Sequence, residues 1–159
     1  MAIAFNIQTS SSLQNYRAIY YPAPGWTPPW SIHVNGPAEP AWWEPVSQRL
    51  DELTQLRPDW DGRRSPPLNP GDIVAAIRFL SEVMRADTPA PWIGPLSSGG
   101  VQLAWRHGDV EVEAVFDQSR GELELLVADG EDEREEPIDT AGPLFASVVD
   151  RLHAAELAT

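Results

Sequence analysis

Residues 101–127, VQLAWRHGDVEVEAVFDQSRGELELLV, contain three short segments in which apolar and polar residues alternate. A period of two residues is typical of β-strands that bury one face. Turn-forming residues separate the segments at 107–109 and again at 117–121. The pattern predicts an antiparallel three-stranded meander with one apolar face, and a short strand at residues 92–93 would make it four-stranded.

Apolar stripes at helical spacing flank this meander on both sides. They comprise Trp43, Val46, Leu50 and Leu53; Ile73, Ile77, Leu80 and Met84; and Phe145, Val148, Leu152 and Ala155. Spacings of three and four residues indicate amphipathic helices. We expect the first helix to begin near Trp42 and to stop at Arg57-Pro58, and the second to be capped by Asn69. The predicted fold class is therefore α+β: two helices, an antiparallel meander of three to four strands and a C-terminal helix.

The first 40 residues have a different composition. Alternating apolar residues predict strands near residues 3–7, 15–21 and 31–34, and the intervening stretch contains four prolines together with Trp26 and Trp30. Proline excludes helix and central strand there. We therefore divide the chain into a β/proline-rich N-terminal arm, residues 1–40, and an α+β domain, residues 41–159. Trp26 and Trp30 either pack on that domain or anchor a partner protein.

Charge and composition narrow the classes of partner. The 159 residues include 24 acidic and 11 basic side chains, giving a net charge of −13, and no cysteine. Such a chain is repelled by nucleic acid and by anionic membranes, whereas a basic partner protein is compatible with it. No signal peptide and no membrane-length apolar run is visible, so we expect a cytoplasmic protein.

Catalytic and metal-binding patterns are not found in the sequence. The three histidines, His33, His107 and His153, fall on different predicted elements without metal-ligand spacing, and no nucleophile elbow or phosphate loop occurs. We therefore expect no catalytic residues, no metal, no cofactor and no enzymatic activity.

The sequence Asp59-Trp60-Asp61-Gly62 lies between the first two predicted helices. We interpret Trp60, Asp61 and Gly62 as a structural turn in which the carboxylate binds local amides, the glycine adopts a positive φ and the indole fills the gap between the helices. The D-x-D-G spacing is also that of the beginning of a calcium loop, but the glutamate expected at position twelve is missing.

Four glutamates are predicted on the outward face of the meander: Glu111, Glu113, Glu122 and Glu124. Arg106 should lie near Glu111 across the first hairpin and offset part of their repulsion. The face is either simply solvated or the docking surface for a basic partner.

Trp60-Asp61-Gly62 and the later G-G-V-Q-L-A-W segment, residues 99–105, together resemble a group of short bacterial proteins with a W-D-G turn between two helices and a following antiparallel hairpin. The similarity spans about residues 45–128. Arg63-Arg64 and Ala104 depart from the pattern of the group. The resemblance implies the order of elements and no known activity.

These observations favour a non-enzymatic, acidic protein–protein interaction module, such as an accessory subunit, an inhibitor or an antitoxin-like partner of another bacterial protein. One alternative is a small-molecule-binding or catalytic domain with an aromatic pocket. A second alternative is an acidic DNA mimic, which would need carboxylates spaced like phosphates. The partner-binding residues expected for the first hypothesis are Trp26, Trp30, Glu111, Glu113, Glu122 and Glu124. The oligomeric state is not predicted.

Overall fold

The computed structural model describes the backbone of residues 3–8, 15–20, 32–35, 40–85, 88–138 and 143–154, and the side chains from residue 40 onward in these ranges except at 143, 149, 153 and 154. This part of the chain contains three α-helices and two antiparallel β-sheets. The predicted α+β class is confirmed.

A three-stranded sheet forms from the first 40 residues. Its strands β1 (Ile3–Gln8), β2 (Asn15–Tyr20) and β3 (Ile32–Asn35) pair antiparallel in chain order. The three strands predicted there are thus confirmed. Trp26 and Trp30 lie outside the described residues, and their role as partner anchors stays a prediction.

A five-stranded antiparallel sheet forms the larger β-layer. The strands, adjacent in chain order, are β4 (Trp92–Pro95), β5 (Val101–His107), β6 (Val110–Asp117), β7 (Glu122–Asp129) and β8 (Asp132–Pro137). The predicted meander is present as β5 to β7. The predicted count of three to four strands is wrong, because the sheet has five.

The strand that the sequence pattern does not predict is β8, which lies in a strongly acidic stretch, residues 129–136. The side chains of β8 are mostly exposed and mostly charged, so no apolar alternation marks it as a strand. Pairing with β7 begins at Asp129 opposite Asp132, across a tight turn in which Gly130 has a φ of +63°. A charged edge strand also hinders pairing with the sheet of another molecule.

The helices are α1 (Trp43–Thr54), α2 (Pro70–Val83) and α3 (Pro143–Ala154). The prediction for the start of α1 is confirmed, but the helix ends at Thr54, before the predicted stop at Arg57-Pro58. Asn69 caps α2 as predicted, since its Oδ1 accepts the N–H of Gly71 at 2.9 Å. Among the residues described, no helix has the length and apolar character needed to cross a bilayer.

One face of the five-stranded sheet forms the core with the three helices. The buried strand residues include Val101, Leu103, Trp105, Val112, Ala114, Phe116, Leu125 and Val127. Phe79 of α2 lies at the centre of this layer, and its ring centroid is 5.7 Å from that of Phe116, 5.8 Å from Phe145 and 6.4 Å from Trp105. These edge and tilted ring contacts join α2, α3 and the middle strands.

Candidate binding surface

The second face of the five-stranded sheet, which we call the outer face, carries three rows of residues across the strands. The rows are Gly94, Gln102, Val115, Glu124 and Pro137; Trp92, Ala104, Glu113, Leu126 and Glu135; and Arg106, Glu111, Ala128 and Glu133. On β5, β6 and β7 the residues of these rows alternate with residues that are buried against the helices. The outer face is therefore a mixed surface of carboxylates and small or apolar side chains.

The predicted glutamates are brought together here. Glu111, Glu113 and Glu124 occupy the outer face, and Glu122 lies on the same side at the start of β7, opposite Asp117. The expected cross-hairpin ion pair is also present, since Nη2 of Arg106 donates to Oε1 of Glu111. Because this pair is largely exposed, its contribution to stability is at most about 1 kcal/mol.

Trp92 is a feature of this surface that the sequence pattern did not indicate as a candidate site residue. It is 59% exposed, the most of any large hydrophobic residue in the described part of the chain. Its indole lies across Gly94, because a Cβ built there would approach Cζ3 to 2.7 Å and Cζ2 to 2.8 Å. Glycine at position 94 thus lets the ring lie along β4 with one face towards solvent.

An open groove of about 640 Å³ runs beside Trp92 at the sheet edge. Outer-face residues Ala104 and Glu113 line one part of it, while Trp105 and Leu152 line the part nearer the helices. Apolar walls next to carboxylates suit a ligand that has both an apolar and a cationic part.

Carboxylates repel one another around Glu124. Loss of hydration raises the pKa of Glu124, and the nearby charges of Glu135 and Glu122 raise it further. A cation bound beside these groups would relieve the repulsion. Protonation of Glu124 as the pH falls would weaken such binding.

Replacing Glu122 and Glu124 together by glutamine is expected to leave the melting temperature unchanged or to raise it slightly, because like charges on one face repel. Thermal unfolding followed by circular dichroism measures this. Glu111→Gln serves as the comparison, since it removes the partner of Arg106. A clear loss of stability in the double variant would show that these carboxylates hold the fold together.

Two buried aspartates meet where α2 begins, beside the turn after β6. Oδ1 of Asp72 accepts the N–H of Gln118 at 3.0 Å, and Oδ1 of Asp117 accepts the Ser119 hydroxyl at 2.6 Å. Burial raises the pKa of Asp72, and the charge of Asp117 adds to the shift. Burial opposes ionisation of Asp117 as well, but hydrogen bonds from the hydroxyls of Ser119 and Ser98, together with the N–H and the charge of Arg120, outweigh it and lower its pKa. The Asp72 bond ties the beginning of α2 to the turn after β6, while Asp117 stabilises that turn itself.

The W-D-G turn has the geometry predicted for its aspartate and glycine. Asp61 accepts hydrogen bonds from the N–H of Arg63 and from the hydroxyl of Ser65, and Gly62 has a φ of +70°. The Ser65 hydroxyl bond is the main cause that lowers the pKa of Asp61. These contacts make the segment a self-contained loop.

The prediction that Trp60 fills the gap between α1 and α2 is wrong. Its side chain is only partly buried and lies outside the core, and its Nε1–H donates to the carbonyl of Pro66 at 3.1 Å. The indole therefore braces its own loop. A local motif does not reveal which side chains fill the space between α1 and α2.

Gly62→Ala is expected to lower the free energy of unfolding by about 1–2 kcal/mol, because a left-handed conformation is costly for alanine. No atom lies within 4 Å of a Cβ placed there, so the cost is conformational and not steric. Gly62→Asn should cost less, since asparagine tolerates this region. Urea denaturation of both variants measures the difference, and equal losses would contradict the explanation.

Metal binding at the D-x-D-G sequence has no support in this geometry. Oδ1 of Asp59 accepts the N–H of Arg64 at 2.7 Å, and Asp61 is likewise engaged with its own loop. Across the described ranges no group of three or more histidine, aspartate or glutamate side chains is arranged to hold a metal ion.

Comparisons of the chain with protein-family models, with curated proteins and with solved structures find no match. The resemblance of residues 45–128 to the W-D-G group of bacterial proteins therefore stays a prediction.

Proposed function

We propose that this protein is a non-enzymatic binding module that holds a basic partner protein against the outer face of its five-stranded sheet. Accessory subunit, inhibitor and antitoxin-like partner are the roles that such a module fills. The observation that carries the proposal is the exposed Trp92, which lies beside a groove whose outer-face wall includes Glu113.

The position of the helices supports this use of the outer face. The described helices α1, α2 and α3 contribute their buried side chains to the core on the other side of the sheet. An exposed tryptophan on the remaining face is costly to solubility and contributes little to the core. Tryptophan is enriched among residues that carry binding energy at protein interfaces.

Charge complementarity selects the kind of partner. Five glutamates lie in the three rows of the outer face, at positions 111, 113, 124, 133 and 135, against the single basic residue Arg106. The chain as a whole carries a net charge of −13. A basic partner would be steered to this face, and its association would weaken as salt is added.

A second candidate function is the binding of a small molecule in the groove. A volume of about 640 Å³ falls in the range of ligand pockets, and Trp92, Trp105 and Leu152 would contact an apolar ligand. Binding of an uncharged apolar ligand would be insensitive to salt, which separates it from the capture of a basic protein.

The proposal is tested by photo-crosslinking from two positions in the full chain, Val115 on the outer face and Gln55 beyond the end of α1, followed by mass spectrometry. We expect one basic protein to be captured from Val115 and not from Gln55. Replacing Glu111, Glu113 and Glu124 by glutamine should reduce capture roughly tenfold, which corresponds to about 1.4 kcal/mol.

The matched control replaces three exposed acids on the helices by their amides: Glu44→Gln, Asp51→Asn and Asp150→Asn. It changes the net charge equally, so it should leave most of the capture intact. Equal losses in both triple variants would mean that only the overall charge matters. Capture from Gln55 alone would place the interface on the helices and overturn the proposal.

A further inference from the structure

We infer that the solvent-facing side of the Trp92 indole is a subsite for an arginine side chain in an extended segment of the partner, with Glu113 as the counter-charge. This inference rests on the proposed function. It specifies which residue of a basic partner the outer face recognises and where.

The platform for that side chain is preformed. Because Gly94 has no side chain, the indole lies along β4 and presents a flat aromatic face to solvent. A planar guanidinium stacks on such a face by cation–π attraction, and tryptophan is the best aromatic partner for it.

The register places a carboxylate within reach of the stacked group. Trp92, Ala104 and Glu113 are direct neighbours on β4, β5 and β6. The Cα atoms of Trp92 and Glu113 are therefore separated by two interstrand spacings, about 10 Å. The methyl group of Ala104 between them leaves room above the sheet. An arginine on the indole can therefore direct its N–H groups at the carboxylate.

The distribution of ion pairs on the outer face favours binding of an external guanidinium at Glu113. Within the described residues the side-chain carboxylate of Glu113 makes no hydrogen bond or ion pair, whereas that of Glu111 in the adjacent row is already paired with Arg106. The surface thus contains one arginine–carboxylate pair and, in the adjacent row, a glutamate two strands away from the exposed face of Trp92.

The spacing of the rows favours an extended segment. Consecutive rows are two residues apart along each strand, which is about 7 Å, and side chains on one side of an extended peptide repeat at the same distance. In a segment with basic residues at alternate positions, one basic side chain would therefore lie over the Trp92 row while the next lies over an adjacent row of the outer face.

The test uses the full chain and three nine-residue peptides in which threonine alternates with arginine, lysine or citrulline. Binding is followed by the NMR signal of the Trp92 indole N–H and by calorimetry. We expect the arginine peptide to bind more tightly than the lysine peptide, the citrulline peptide to bind least, and the Trp92 signal to shift. Trp92→Leu should weaken arginine-peptide binding roughly 2- to 30-fold, and Glu113→Gln should weaken it as well.

Two variants serve as controls. Leu123→Ala alters the other large exposed apolar residue of the described ranges, and Asp51→Asn removes one charge from α1; both should leave the affinity unchanged. Binding that falls with Glu113→Gln but not with Trp92→Leu would overturn the subsite and leave the proposed function intact. No binding of any basic peptide on the outer face would count against both. Concentration-dependent self-association that protects Trp92 would assign the groove to a second copy and overturn the inference.

Discussion

Phe79→Ala is expected to lower the free energy of unfolding by about 3–5 kcal/mol, the typical cost of removing a buried phenylalanine ring. Phe79 is 3% exposed and contacts three other aromatic rings from different elements. The cavity would lie between α2 and the sheet, beside the rings of Trp105, Phe116 and Phe145. Urea denaturation followed by circular dichroism gives the value.

The control for this experiment is Leu123→Ala, because Leu123 is 38% exposed and lies at the beginning of β7. Its loss should be below about 1 kcal/mol. If Phe79→Ala costs no more than the control, the ring cluster is not the centre of the core.

Asp72→Ala is expected to lower the free energy of unfolding by about 1–3 kcal/mol, because it removes the acceptor for the N–H of Gln118. Asp72 is 0% exposed, so water does not replace the lost acceptor. Asp72→Asn keeps an acceptor oxygen and removes a buried charge, and it should cost less than half as much. Equal losses in the two variants would contradict the role assigned to the carboxylate oxygen.

The pH dependence of stability tests the opposite directions of the pKa shifts of Asp72 and Asp117. Burial raises the pKa of Asp72 above its ordinary value of 3.8, so its contribution to stability is complete below that value and is lost as the pH rises through the raised pKa. The pKa of Asp117 is lowered, so its contribution is present above 3.8 and is lost as the pH falls through the lowered pKa.

Urea denaturation at a series of pH values compares each asparagine variant with the native chain. From pH 3 upward, Asp72→Asn should gain stability relative to the native chain, whereas Asp117→Asn should lose it. Parallel changes in the two variants would contradict the opposite pKa shifts.

The middle of the sheet and the helical stripes were predictable because their signal is local. Val112, Ala114 and Phe116 alternate with polar residues, and Val46, Leu50 and Leu53 recur at helical spacing, so hydrophobic burial alone specifies each element. The strand β8 was not predictable in this way, because neither face of it is apolar and its pairing with β7 depends on backbone hydrogen bonds.

The candidate site was predictable only in part. Alternation along single strands was enough to place Glu111, Glu113 and Glu124 on one face. The relation between Trp92 and Glu113 requires the register of three strands, and the contact of Asp72 with Gln118 joins residues 46 positions apart. Local patterns do not contain such long-range information, which is also why the position of Trp60 was predicted wrongly.

The central claim is that the partner binds the outer face of the five-stranded sheet and not the helices. NMR chemical-shift mapping of the full chain during titration with the captured partner tests it most directly. We predict that the largest changes occur at Trp92, Ala104, Glu113 and Val115, while the exposed residues of α1 remain unchanged. Changes concentrated on α1 and α2, with the Trp92 indole signal unmoved, would contradict the account.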